Sequence, residues 1–323
     1  MSLANYQRKF CALYVNSKKG RRSPHKICIL LAMLDLARAG SLKVNRIVYG
    51  PLLLERYSLY FEAVRSEQDH PNAYFPFFHL GGDLRISERG GAKPASFWHL
   101  QPLPGHDAEF ARMTTVRSHR DITEVIACAT LDTELLELLQ IASNIEALAE
   151  TLAQHWFDRG LEDLAAVANE GRQISLYERQ LRSFEPRHLE AREPPEAIRS
   201  PAFRRVVIEN YDFRCAASGL RIVLPDGTPM VEAAHIHPFS EGADDDPRNG
   251  MALTPDMHWA MDKNLIAPDP DFVWRVSGAL DDRVPDYKQL TNLSGRKLFL
   301  PSEKRFWPKR ESLAWRMERF NRP

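Results

Sequence analysis

Apolar residues dominate ICILLAMLDLARAG (27–40), which reads as an apolar helix. Ser23 offers its cap, Pro24 its start and Gly40 its stop. A second helix is predicted after NRI (45–47). Two runs read as strands, NAYFPFFHLGGDLRI (72–86) and FWHLQPL (97–103), with Phe77 and Leu80 as core positions. From 131 to 157 the apolar spacing returns to about 3.6 and predicts a helical close to a first domain. Residues 174–201 are charged and broken by prolines; Pro194-Pro195 marks a boundary near 195, and the stretch before it reads as a packing helix or a dimer contact. Beyond it, Val231–His237 reads as a short strand whose alternation puts His235 and His237 on one face. Residues 241–249 carry loop chemistry, and Thr254-Pro255 starts a helix as N-cap and first residue. A last helix, Leu313–Phe320, has an apolar stripe flanked by Arg and Lys. Together these elements predict a mostly helical α+β protein with a first domain at 1–160, a helical linker at 161–195 and a second domain at 196–323.

Length and composition fit that picture. A chain of 323 residues accommodates two domains. Cys11, Cys28, Cys128 and Cys215 lie far apart, which predicts reduced thiols and a cytoplasmic setting. No apolar run approaches the roughly 20 residues of a membrane span, and MSLANYQRKF lacks the apolar core of a signal peptide. The net charge is zero but unevenly spread. Residues 1–50 hold ten Lys and Arg against Asp35 alone, a balance of +9. Residues 131–170 hold nine Asp and Glu against Arg159, a balance of −8. A basic first segment is the footprint of phosphate binding.

The chemistry concentrates in VEAAHIHPF…DPRNGMALTPDMHWAMDKNLI. Asn249 follows His235 by 14 positions, His258 follows Asn249 by nine, and Asp262 follows His258 by four. Four positions apart on a helix, His258 and Asp262 share a face. An imidazole titrating near neutrality suits a general base that takes a proton from water. This spacing resembles the HNH nuclease motif, a ββα-metal site that cuts nucleic acid. The resemblance covers about 196–323. It implies His235 as base or metal contact, Asn249 as the residue that holds the loop orienting it, and His258 with Asp262 as ligands of Mg²⁺ or Mn²⁺. Many such sites carry Asp or His just before the base, where this chain has Ala234. The Ala-His-Ile version resembles the branch found in bacterial modification-dependent restriction enzymes.

HNH domains often clamp a structural zinc between two Cys-x-x-Cys pairs. Cys215-Ala216-Ala217-Ser218 supplies half of one pair, so no structural zinc is expected and Cys215 reads as a buried core thiol. Apolar residues then hold the module, among them Phe203, Val206, Val207, Tyr211, Phe213, Leu220, Ile222, Leu253, Trp259, Leu265, Ile266, Val273 and Trp274.

SPHK (23–26) before a helix, NRI before a second and FPFFHL (75–80) together resemble the sulfur-binding domain of phosphorothioate-dependent restriction enzymes. That resemblance covers about 5–155. It implies a reader of double-stranded DNA in which Arg22, His25 and Lys26 are the cationic side. Phe75, Pro76 and the His79 ring supply an apolar wall, with Tyr74 beside them. Lys26 stands where Arg is common, and Phe75 where Tyr often precedes the Pro. Sulfur is larger and less hydrated than the oxygen it replaces, so an apolar wall disfavours the ordinary phosphate oxygen more. The combined reading is a modification-dependent restriction endonuclease, a homodimer by analogy. Alternatives are an HNH nuclease that reads methylated or unmodified DNA, or a non-cutting DNA-binding regulator.

Overall fold

The computed structural model describes residues 2–18, 21–80, 96–157, 161–184, 194–225 and 227–321. The first elements are α1 (Leu3–Cys11), β1 (Ser17–Lys18), β2 (Arg21–Arg22), α2 (His25–Arg38), α3 (Pro51–Val64), α4 (Tyr74–His79) and β3 (Trp98–Pro102). Then come α5 (Asp107–Phe110), α6 (His119–Thr123), β4 (Ile126–Leu131), α7 (Thr133–Leu138), α8 (Ala142–Trp156) and α9 (Leu161–Ser183). They are followed by α10 (Glu196–Asn210), β5 (Glu232–His235), α11 (Phe239–Gly242), β6 (Gly250–Leu253) and α12 (Pro255–Asp262). The last are β7 (Ile266–Pro268), β8 (Trp274–Val276), α13 (Lys288–Thr291) and α14 (Arg310–Phe320). The protein is a mostly helical α+β chain.

Two compact units divide it: Met1–Leu176 with Pro225–Gly227, and Tyr177–Leu224 with Thr228–Pro323. The division falls inside α9 rather than at Pro194-Pro195. The second half of α9 is core, not linker: Tyr177, Glu178 and Leu181 are buried, and Glu178 accepts hydrogen bonds from Arg182 and Arg205, each at 3.2 Å. Part of the 161–195 segment, 185–193, lies outside the described residues.

In the first unit α2 is apolar on all sides and every residue from Lys26 to Arg38 is buried, as such a helix must be. It packs against α3 and α8. Charges within this core are paired. Arg38 binds Asp35 and donates from Nε to Glu146 at 3.0 Å, and the Tyr60 hydroxyl donates to Asp35 at 2.8 Å. Burial combined with the neighbouring Asp35 carboxylate pushes the Tyr60 phenol well above its usual range.

Two expectations change here. Tyr74–His79 is a helix, not a strand. Pro76 sits in its first turn, where no backbone N–H is needed, so a proline does not oppose the helix. Phe77 and Leu80 are core residues, and the Trp98 indole donates to the Phe77 carbonyl at 3.0 Å. The rest of that predicted strand, 81–86, lies outside the described residues. β3 pairs antiparallel with β4, Trp98 opposite Leu131. Finally, α2 starts at His25 with no side-chain cap; the Ser23 hydroxyl binds the His25 ring instead.

In the second unit β5 and β6 run antiparallel, with Glu232 opposite Leu253, Ala234 opposite Met251 and His235 opposite Gly250. α10 packs over both strands. Gly250 has an extended backbone (φ −116°), yet a Cβ there would collide with Phe203 and Val207 of α10. Phe203, Val206, Val207, Tyr211, Leu253, Ile266 and Trp274 are buried as expected. Leu220, Ile222 and Trp259 are not; Trp259 is 57 % exposed. α12 buries Met257, Ala260 and Met261, and Trp259 lies off that face.

Candidate functional site

β5, α12 and the loop between β5 and β6 bring the nuclease-motif residues into one unit. His235 ends β5, and its ring stacks on Phe203 of α10 with centroids 4.0 Å apart and planes 3° apart. Phe239 of α11 meets it edge-on at 6.0 Å and 60°. The Nε2 atom lies 3.0 Å from Oδ1 of Asp245. Among the described residues Nδ1 has no hydrogen-bond partner. Behind the ring, buried Arg316 of α14 donates from Nε to the Ile236 carbonyl at 2.8 Å and from Nη2 to the His235 carbonyl at 3.3 Å. Burial lowers the pKa of this guanidinium.

Asn249 does not touch the imidazole. Its Oδ1 accepts from the His237 N–H at 3.0 Å, and its Nδ2 donates to the carbonyls of His237 (2.9 Å) and Asp244 (3.0 Å). It therefore ties the strand end to the loop. His237 is not a second group facing with His235: the strand stops at His235, and the His237 ring stacks on Trp315 at 4.1 Å.

The three consecutive aspartates diverge. Asp244 and Asp246 receive Lys309 at 2.9 and 3.0 Å, and Asp246 also holds Arg248. Burial works against the Asp246 carboxylate, yet the hydrogen bonds from Arg248 and Lys309 leave its pKa below the usual range. Asp245 turns inward and is fully buried.

α12 begins with Thr254 at the N-cap position and Pro255 at its first, as the sequence predicts. The Thr254 hydroxyl makes no cap bond; it lies 3.6 Å from Cys215 Sγ. Cys215 is buried and its sulfur accepts from the Ser218 and Thr254 N–H groups, each at 3.5 Å. On α12, His258 faces two carboxylates. Nδ1 is 2.9 Å from Oε2 of Glu232, and Nε2 is 3.6 Å from Oδ2 of Asp262. Glu232 escapes a motif search because it precedes the motif; it is two positions before Ala234, on the same face of β5. His258 Nε2 and the Asp262 carboxylate are donors that suit a divalent ion, and Glu232 on Nδ1 is placed to orient the ring. Among the described residues no three His, Cys, Asp or Glu side chains converge into a metal cage.

In the first unit, His25, Lys26, Phe75, Pro76 and His79 line one cavity of about 390 Å³. Tyr14, Val15, Asn16, Ser23 and Asn72 complete it; polar side chains scattered over 16–72 carry no spacing signal. Two expected members lie elsewhere. Arg22 rests over Trp156 at 5.1 Å, and Tyr74 meets His119 edge-on at 5.1 Å. The surroundings of His25 there disfavour its cationic form. Burial lowers its pKa, and its ring is engaged on both sides, by Ser23 Oγ at 2.7 Å and the His70 carbonyl at 2.8 Å. Phe75 and His79 face each other at 4.3 Å.

No curated protein matches the chain. It is similar over part of its length to a chain described as "Modification dependent TagI restriction endonuclease", with a TM-score of 0.30, 19% sequence identity and coverage of 39% of each chain. The alignment thus spans well under half of either protein. No described helix is long and apolar enough to cross a membrane. Residues 215–267, which include His235, Asn249, His258 and Asp262, match the HNH endonuclease family and form an HNH endonuclease domain.

Proposed function

We propose that this protein is a modification-dependent restriction endonuclease that binds phosphorothioated double-stranded DNA through its first unit and hydrolyses a phosphodiester bond with its second. The observation that supports the specificity is the cavity at the start of α2. One wall is Phe75, Pro76 and the His79 ring. Lys26 also lines the cavity, in the first turn of α2, a helix start that no side chain caps. An anion is favoured at such a start. The apolar wall tolerates sulfur better than a hydrated oxygen.

In the nuclease unit His235 is the base. Its Nδ1 takes a proton from water, the water oxygen bonds to phosphorus, and a bridging P–O bond breaks with its electron pair leaving on oxygen. Asn249 holds the loop in place rather than the ring. His258, through Nε2, and Asp262 would hold the divalent ion, with Glu232 on Nδ1 orienting the ring; the ion would stabilise charge on the phosphoryl and leaving oxygens when bound.

Fluorescence anisotropy of full-length His235→Ala protein in chelator, on matched phosphorothioate and ordinary duplexes, tests the reader. Tighter binding to the sulfur duplex is expected. Equal binding would leave an HNH endonuclease with a different reader.

A further inference from the structure

We infer that Asp245 is a positioning residue for His235: it accepts a hydrogen bond from Nε2, keeps the proton on that nitrogen and so leaves the Nδ1 lone pair for water. This rests on the reading of His235 as the base.

The geometry is specific. A carboxylate only accepts hydrogen bonds, and a neutral imidazole carries one N–H. A fully buried carboxylate 3.0 Å from Nε2 therefore fixes which nitrogen holds the proton. Asp245 has its own supports. Arg199 of α10 donates from Nη1 to both oxygens at 3.0 and 3.1 Å, and the Tyr177 hydroxyl reaches Oδ2 at 3.4 Å. A buried charge persists only when paired and hydrogen-bonded in this way. Arg199 also lies 3.4 Å over the Phe239 ring, which flanks His235. Phe203 fixes the plane of the imidazole and Asp245 fixes its rotation within that plane. Asn249 ties down the Asp244 carbonyl, the residue just before Asp245. The Asn therefore acts on the base through the loop and through Asp245. The sequence hides this, because three adjacent aspartates in a Gly- and Pro-bearing loop read as a solvated run.

Full-length protein, Asp245→Asn and His235→Ala are compared for cutting of a plasmid that the wild type cuts, for DNA affinity in chelator and for melting. An amide can donate to the ring and stabilise the other tautomer. Asp245→Asn should slow cutting about 10²–10⁴-fold with DNA affinity unchanged. In the unaltered protein, ¹⁵N-histidine spectra recorded where imidazoles are neutral should place the proton on Nε2 of His235, assigned by the signal missing in His235→Ala. Should Asp245→Asn fail to fold, that spectrum decides alone. A proton on Nδ1, or wild-type cutting by folded Asp245→Asn, overturns the inference. Normal cutting by His235→Ala instead removes the base assignment on which it rests.

Discussion

Replacing Asn249 by Ala should unsettle the nuclease unit through its loop. The side chain is fully buried and makes three hydrogen bonds, at 3.0, 2.9 and 3.0 Å, to the His237 N–H, the His237 carbonyl and the Asp244 carbonyl. Alanine leaves all three peptide groups without that partner. Each such bond contributes about 1 kcal/mol net, and a buried group left unsatisfied costs about 1–3 kcal/mol. The sum is at least about 3 kcal/mol, or roughly 6–12 °C for a domain of this size. Differential scanning calorimetry of the full chain without metal would resolve it. Asn249→Asp should also be destabilising, since it keeps the acceptor but removes two donors. Below both transitions, cutting by Asn249→Ala should fall in step with loop order rather than vanish. A melting shift under about 2 °C would refute the reasoning, since that is less than one hydrogen bond's share. So would complete loss of cutting in a fully stable variant, because the side chain would then act on the substrate directly.

Other outcomes follow from the two sites. Phe75→Ser should lower the preference for sulfur over oxygen, whereas Lys26→Ala should weaken both duplexes alike and flatten the salt dependence of binding in anisotropy titrations. Because burial holds the His25 pKa down, its contribution to stability is complete above the ordinary imidazole value of about 6.5 and is lost as pH falls through and below it; melting curves of wild type and His25→Gln should therefore converge toward acid pH. Brief chelation should leave the circular dichroism of the second unit intact, since Cys215 is packed against Thr254 and Ser218 rather than paired with a second cysteine; stoichiometric zinc whose removal unfolds it would overturn this.

Local chemistry was readable and long-range burial was not. Thr254-Pro255 announces α12 because the cap position and first-turn proline are properties of adjacent residues. The spacing of His235, Asn249, His258 and Asp262 is legible for the same reason: it follows two short strands and a helix. Phe75–Leu80 misled because aromatic side chains favour strands while Pro76 is tolerated in a helix's first turn, and only the packing of Phe77 under Trp98 decides. β4, IACATL, has the small run Ala127-Cys128-Ala129 at its centre and is recognised by its pairing with β3. Trp259 looks like core until the buried face of α12 is known. Asp245 is the clearest case. Its role depends on Arg199, 46 positions away, and on Tyr177, 68 positions away.

The pair Asn249-Gly250 looks like turn chemistry, yet Gly250 is extended and its bareness serves another purpose. Val207 and Phe203 together occupy the space a side chain at 250 would need, and the same Phe203 ring backs the His235 imidazole. Positions 203, 235 and 250 are therefore one steric unit. Their substitutions will not add in a double-mutant cycle: any side chain at 250 shifts the ring at 203, and with it the plane of the histidine. A library that varies 203 alone, or 250 alone, will find mostly damage. Variants with smaller residues at both 203 and 207 and Ala at 250 are the ones that relieve the overlap, which makes the width of α10 against the strand pair a heritable setting of this nuclease rather than a fixed backdrop.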